Sequence, residues 1–150
     1  MNIIERLKEE ILAIRRQRYQ FLLLKHQQSN EKELHDGIGK MGIPSVNVNK
    51  ELAIRLKDVP VSRRQRVVKD ELQQITNRFD NDVIFLSRVH YLFDEELKQN
   101  PIGLFEYISG NKVILIDWPG EVARGSTKYG TPDHPEYFEA DGFEDHIIHV

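Results

Sequence analysis

The chain has 150 residues and a formal net charge of −3 at pH 7, which excludes a globally basic nucleic-acid binder. Hydrophobic residues make up 39% and charged residues 30% of the sequence, a composition typical of one soluble globular domain. The absence of cysteine excludes disulfides, thiolate nucleophiles and zinc–cysteine sites. The sequence has neither an apolar run of about 18 residues nor a signal-peptide pattern, so we expect a cytoplasmic protein.

The predicted elements of the first half of the chain alternate between helix and strand. Apolar residues recur every three to four positions in the helical segments and run together or alternate in the strands. The predicted segments are a helix at residues 3–17, a strand at 19–24, a helix from 31 to 41, a strand at 43–48 and a short helix from 50 to 56. Asn2, Asn30 and Asn49 are the predicted N-caps of these helices, since their side chains can accept hydrogen bonds from the first helical N–H groups.

The second half of the chain continues this alternation. A capping box of Ser62 and Gln65 predicts a longer helix that reaches Phe79. The remaining predicted segments are a strand at 83–86, a helix beginning at Asn100-Pro101, a strand at 113–116 and a C-terminal strand at 146–150. Strands separated by helices, two of them apolar throughout, predict an α/β fold of three layers with a mainly parallel sheet. We expect residues 1–150 to form a single domain, with an N-terminal amphipathic helix at 1–18.

The connection after the first predicted strand contains no glycine. Ligands of open α/β sheets bind beyond the carboxyl ends of the strands, so this loop is the first candidate for a site. A phosphate-binding loop requires G-x-x-x-x-G-K-[ST], in which the glycines let backbone N–H groups turn toward the phosphates. Residues 25–32 keep Ser29, Asn30 and Lys32 as polar groups, at spacings that do not fit the motif. These are the degenerate nucleotide-loop positions, and we expect no bound cofactor.

The two apolar strands end in residues that lack the usual magnesium chemistry. A nucleotidase places an Asp after the first of them to hold magnesium, whereas Ser87 and Arg88 stand here. Asp117 ends the second strand, and two interpretations stay open for it. It either belongs to the degenerate nucleotide site or caps the turn that follows. No residue is predicted to be catalytic.

Charge is distributed unevenly along the chain. Residues 55–70 carry six cations and two acids, whereas residues 117–150 carry eight acids and two cations. Arg63, Arg64 and Arg66 are therefore candidates to contact DNA phosphates or an acidic partner, and the alternative is a solvated helix face. The aromatic residues of the acidic tail either cover the edge of the sheet or anchor a partner.

The histidines of the tail predict no metal site. His134, His146 and His149 lie near acidic residues in the sequence, but their spacing matches no recognised set of metal ligands. Surface histidines near a turn explain the pattern, so we expect no bound metal.

Several segments together resemble one protein family. These segments are Ile43–Leu52, Val61–Arg66, Asp82–Lys98, Asn100–Leu104, Asp117–Glu121 and Tyr129–Tyr137. Over about residues 19–150 the chain resembles BrxF, the family of small phosphate-loop proteins of type III BREX bacteriophage-exclusion systems. The stretch Pro132–Tyr137 is the most distinctive part of the likeness. Many members of that family keep an intact phosphate loop and an acid at the position of Ser87, and this chain departs from the family at both places.

The resemblance implies a P-loop-like domain and a role in antiviral defence. Its implied partners are a large ATPase, a methyltransferase and a phosphatase-like protein, with DNA as a further candidate and no membrane. Because the nucleotide motifs of this chain are degenerate, we expect it to be a noncatalytic assembly or regulatory subunit. The alternative is a weak ATP-binding, ATPase-like sensor that is completed by a partner protein. The candidate contacts with a partner or with nucleic acid are Arg63, Arg64, Arg66, Trp118 and Tyr137.

Overall fold

The computed structural model describes residues 2–123 and 126–150. The helices are α1 (Ile3–Ile14), α2 (Glu31–Lys40), α3 (Val48–Leu56), α4 (Val61–Asn77) and α5 (Pro101–Ile108). The strands are β1 (Phe21–Lys25), β2 (Ser45–Asn47), β3 (Val83–Ser87), β4 (Val113–Asp117), β5 (Glu121–Ala123), β6 (Ser126–Tyr129), β7 (Phe138–Ala140) and β8 (Ile147–His149). Short 3-10 segments occur at Gln28–Asn30, His90–Phe93, Glu95–Leu97 and Glu144–His146.

Five strands form one parallel sheet in the order β2-β3-β4-β1-β8. β1 lies inside the sheet, where Leu24 pairs with Asp117 of β4 on one side and with Ile148 of β8 on the other. This arrangement confirms the predicted α/β fold with a mainly parallel sheet, and it confirms that the C-terminal segment closes the sheet. Among the described helices, none is long and apolar enough to pass through a lipid bilayer.

The sheet buries a hydrophobic core on each of its faces. Along β1, Phe21 and Leu23 belong to one core, whereas Leu22 and Leu24 belong to the other, as the two-residue period of a strand requires. The first core also takes the apolar faces of α3, α4 and α5, and the second takes those of α1 and α2. Helices on both faces agree with the expected three layers.

Two of the predicted N-caps are confirmed. The Asn2 side chain accepts a hydrogen bond from the N–H of Glu5 at 2.9 Å, and the Asn100 side chain accepts one from Gly103 at 3.3 Å. α1 is shorter than predicted, because the helix ends at Ile14 and the following residues form turns. The basic residues after Ile14 therefore lie outside the helix.

Two other predicted caps are wrong, and Asn30 holds the N-cap position of α2 without a side-chain hydrogen bond to the helix. The backbone of Asn30 is already helical, with φ −99° and ψ 0°, because a 3-10 turn runs directly into α2. β2 also runs directly into α3, so Asn47 caps that helix and the side chain of Asn49 instead accepts from the N–H of Tyr91 at 2.7 Å. Ser62 lies inside the first turn of α4. For α2 and α3 the preceding element, which the local pattern does not specify, fixes where the helix begins.

The acidic tail forms a small antiparallel sheet that the sequence pattern did not predict. Its strands follow the order β5-β6-β7 and are three or four residues long, too short for an alternating pattern to be recognised. The ring of Tyr129 stacks on Phe93 at 4.0 Å between centroids, and Phe138 packs against both Phe93 and Trp118. Burial raises the pKa of the Tyr129 phenol, and the nearby Glu136 carboxylate raises it further. The tail aromatics thus pack onto the domain itself.

Gly120 fixes how this small sheet joins β4. A Cβ atom built at this position would lie 1.7 Å from the carbonyl oxygen of Lys128. No side chain fits at that distance, so β6 can approach the end of β4 only because residue 120 is a glycine.

Candidate functional site at the carboxyl edge of the sheet

The carboxyl ends of β1, β3 and β4 open into one cavity. Its volume is about 490 Å³. The residues that line it are Lys25, His26, Gln28, Glu31, Arg88, His90, Asp117, Trp118 and Pro119. This is the edge at which parallel α/β sheets place their ligands, so the cavity is the candidate site.

Asp117 and His26 form the best-defined contact of the cavity. The Nε2 of His26 lies 2.8 Å from Oδ1 of Asp117, and its Nδ1 lies 2.9 Å from the carbonyl oxygen of Gln27. Both ring nitrogens therefore face acceptors, and both hydrogen bonds form together only when the ring carries two protons. Parallel pairing of β1 with β4 brings these side chains together, since Asp117 pairs with Leu24 and His26 lies two residues after Leu24.

His35 approaches the other oxygen of Asp117. It lies one helical turn after Glu31 on α2, and its Nε2 is 3.6 Å from Oδ2 of Asp117. This nitrogen is buried and has no hydrogen-bond partner among the described residues. The His35 ring also meets Phe85 edge to face, with centroids 5.2 Å apart. The ligand-type atoms of Glu31, His35 and Asp117 all lie within 4.8 Å of one another.

Two cationic side chains, Lys25 and Arg88, also line the cavity, and both lie close to oxygen atoms of neighbouring residues. Lys25 Nζ donates to the carbonyl oxygen of Gly120 at 2.8 Å and lies 3.8 Å from a carboxylate oxygen of Glu121. Arg88 has a φ of 51°, and its guanidinium lies 3.9 Å from a carboxylate oxygen of Glu31. The positive charge of the cavity is thus balanced by neighbouring acids.

The five predicted nucleotide-loop positions do not converge. Ser29 and Lys32 line a different depression, between α1 and α2, and Asn30 faces the C-terminal strand. Ser87 is buried, and its hydroxyl donates to the carbonyl oxygen of Val46 at 3.2 Å. Asp117 alone lies in the cavity. Both of its oxygens face histidines rather than the following turn.

The predicted partner contacts divide into exposed and internal residues. Arg63 and Arg66 are exposed on α4. Arg64 is engaged internally, since its guanidinium donates to the carbonyl oxygen of Val59 at 3.0 Å and to the hydroxyl of Tyr91 at 3.2 Å. Trp118 is only 2% exposed and offers no surface to a partner. Tyr137 is half-buried, and its hydroxyl donates to Glu139, which raises the pKa of the phenol.

The tail histidines are dispersed in the structure. His134 Nδ1 accepts from the N–H of Glu136 at 3.1 Å, and His146 Nδ1 lies 2.8 Å from the carbonyl oxygen of Phe21. Across residues 2–123 and 126–150, the one group of three histidine or carboxylate side chains close enough to share a cation is the Glu31 cluster.

Sequence reasoning missed His26, Glu31 and His35. The available signal was the four-residue spacing of Glu31 and His35, which places both on one face of a helix, combined with an Asp at a neighbouring strand end. Chemically, the cluster offers one imidazole nitrogen, two carboxylates and a second imidazole that orients one of them.

Comparisons of this chain with protein-family models, with curated proteins and with solved structures give no match.

Proposed function

We propose that this chain is a noncatalytic assembly or regulatory subunit of a BREX-type antiphage system in the bacterial cytoplasm. The domain is a P-loop-like α/β body from which the nucleotide chemistry has been lost. The observation that carries the proposal is the connection between β1 and α2. There a glycine-free 3-10 turn over Gln28–Asn30 leads into a helix whose first turn contains Glu31 and Glu33.

This connection is unsuited to phosphate. A helix N-terminus attracts anions through its free N–H groups, but here two carboxylates already occupy the first turn. Asp117 adds a further negative charge across the cavity, Lys25 donates to the carbonyl oxygen of Gly120, and the guanidinium of Arg88 lies 3.9 Å from a carboxylate oxygen of Glu31. A triphosphate would therefore meet carboxylates, and cations already balanced by them, at the place where a phosphate loop supplies attraction.

The surface of α3 and α4 supports a role in assembly. Ile54 on α3 and Val61 on α4 are apolar yet 57% and 49% exposed, and α4 also presents Arg63 and Arg66. Exposed apolar side chains beside arginines suit a protein interface, in which apolar contact supplies affinity and charge supplies orientation. The partner should present an acidic rim, and duplex DNA is the alternative that the same arginines could contact.

The proposal is tested in bacteria that carry the chain together with its neighbouring genes. Deletion of the chain should abolish protection in a phage plating assay, and the wild-type chain and Lys32→Ala should both restore it. Arg63→Gln combined with Arg66→Gln should restore it poorly and should recover less of the neighbouring proteins in a pull-down. Protection that persists after deletion would contradict the defence role, and protection lost in Lys32→Ala would favour the ATP-binding alternative.

A further inference from the structure

The cluster of Glu31, His35 and Asp117 is not used by the proposed function. We propose that it binds one divalent transition-metal ion of the zinc class, with the His35 Nε2 and one oxygen each from Glu31 and Asp117 as protein ligands. This inference holds whether or not the chain belongs to a defence system, because it depends only on the geometry of the three side chains.

The distance between His35 and Asp117 fits two ligands of one ion. At 3.6 Å, the separation of Nε2 and Oδ2 exceeds the range of a hydrogen bond. Two ligands bound tetrahedrally to zinc at ordinary bond lengths lie about 3.3 Å apart. A shift of a few tenths of an ångström therefore converts this pair into two ligands. The Glu31 carboxylate lies within 4.8 Å of both and can reach the same ion through its flexible side chain.

The state of the His35 ring points to the same conclusion. Its Nε2 is shielded from solvent and unpartnered among the described residues, an arrangement that is costly for a polar atom. When the proton is on Nδ1, Nε2 presents a lone pair toward Asp117, and a bound cation would satisfy both groups. The ring packs edge to face against Phe85 in this orientation.

His26 supplies the support that metal-binding carboxylates usually have. It binds Oδ1 of Asp117 at 2.8 Å, which leaves Oδ2 directed toward His35. Residues that hydrogen-bond to a metal ligand fix its orientation, and their substitution typically lowers metal affinity by about 10- to 100-fold. The side chain of His26 is only 11% exposed, so this contact is well protected from water.

The donor set favours zinc-class ions over magnesium and calcium. An imidazole nitrogen suits zinc, cobalt or nickel, whereas magnesium and calcium prefer oxygen ligands alone. Two carboxylates balance a divalent charge, and the cavity leaves room for water in the remaining position. Arg88 opposes binding because its guanidinium lies 3.9 Å from Glu31, but its side chain is 61% exposed and can turn into solvent.

The test uses the full chain without a polyhistidine tag. Zinc is titrated against a chromophoric chelator, and cobalt is added in a parallel experiment as a spectroscopic probe. We expect one ion per chain, visible absorption of the four-coordinate cobalt type, and a higher melting temperature in the presence of zinc. In ¹⁵N spectra of the wild-type chain, the His35 Nε2 resonance should change on adding zinc.

Ligand variants identify the site. His35→Gln and Glu31→Gln should each weaken zinc binding by at least about 100-fold, and His26→Asn should weaken it by about 10-fold. His149→Gln is the matched control, since His149 is exposed and lies outside the cluster, and it should bind like the wild type. Arg88→Asn should bind more tightly, because it removes the competing cation with a residue that tolerates a positive φ.

Circular dichroism establishes that each variant is folded, and Glu31→Gln changes a half-exposed side chain whose replacement leaves the core intact. The inference is overturned if wild-type protein binds no zinc at micromolar concentration. It is equally overturned if Glu31→Gln binds as tightly as the wild type, or if the His35 resonance stays unchanged when zinc is bound elsewhere.

Discussion

At the carboxyl edge of the sheet, the chemistry of a single residue depends on the side chains that surround it. Asp117 stands at the end of a strand, as a magnesium-binding Asp would, but two imidazoles face its oxygens at 2.8 and 3.6 Å. Arg88, in a left-handed backbone conformation, directs its charge toward Glu31. A residue type at a strand end thus indicates chemistry only together with the side chains that surround it.

Substitution of Gly120 should destabilise the domain. Gly120→Ala should lower the free energy of unfolding by about 2 kcal/mol or more, because its Cβ would overlap the backbone of Lys128 and force the small sheet away from β4. Urea denaturation followed by tryptophan fluorescence measures both effects, since Trp118 packs beside that sheet.

The matched control for this prediction is Gly39→Ala. A Cβ at Gly39 meets nothing within 4 Å, and the residue lies within α2, so alanine should stabilise the chain by about 0.5–1 kcal/mol. Equal stability of Gly120→Ala and wild type would show that β6 does not approach Gly120 so closely in solution.

Among the elements, α4 both contributes to the core and presents exposed arginines. One face carries Val68, Leu72 and Ile75 into the core. Arg64 ties the start of the helix to Val59 and Tyr91, while Arg63 and Arg66 remain exposed. The arginine run therefore divides by helical position, and only part of it is available to a partner.

This division predicts different outcomes for the arginines. If α4 contacts duplex DNA, Arg63→Gln with Arg66→Gln should reduce the slope of log affinity against log salt by about 2, because each phosphate contact contributes about 0.9. Arg64→Gln should instead lower the free energy of unfolding by about 1 kcal/mol. Fluorescence anisotropy over a salt series and urea denaturation measure the two effects.

Lys8→Gln with Lys40→Gln serves as the charge-matched control, since both lysines are exposed on helices of the opposite face of the sheet. If this control changes the salt slope as much as the α4 variant does, the effect is one of net charge and α4 is not the contact surface.

β8 is an integral part of the core. Ile148 is 1% exposed, and β8 pairs with β1, so Ile148→Ala should lower the free energy of unfolding by about 3 kcal/mol. Leu12→Ala, at a position 67% exposed, should change it by less than about 0.5 kcal/mol. Thermal and urea unfolding compare the two, and equal effects would contradict the pairing of β8 with β1.

At the scale of the whole molecule, the sequence pattern predicted the main sheet and most of its helices. The apolar runs at 83–86 and 113–116 and the periodic helices carry signals that a short window contains. The small sheet was not predictable, because Tyr129, Phe93 and Trp118 meet only in three dimensions. The sequence pointed to the carboxyl edge of the sheet, where Asp117 lies, but His26, Glu31 and His35 were missed, because the pairing of β1 with β4 and the position of α2 bring them to Asp117.

The residues at the carboxyl edge of the sheet also predict whether the chain binds ATP. The chain should show no saturable binding of magnesium–ATP at micromolar concentration, since the cavity contains carboxylates and engaged cations. Equilibrium dialysis with radiolabelled ATP measures this. Lys32→Ala should behave as the wild type because Lys32 lines a separate depression. Saturable binding that Lys32→Ala abolishes would show that the β1–α2 connection binds phosphate.

The position of β1 inside the sheet has a consequence for how the chain reaches its native state. β1 is synthesised early, yet its two sheet neighbours, β4 and β8, come much later in the sequence. Pairings of such long sequence separation slow folding, because chain entropy is lost before contacts compensate for it. Until then, the Phe21–Leu24 segment presents two unpaired edges, so newly made chains should depend on chaperones or early partner binding to avoid aggregation.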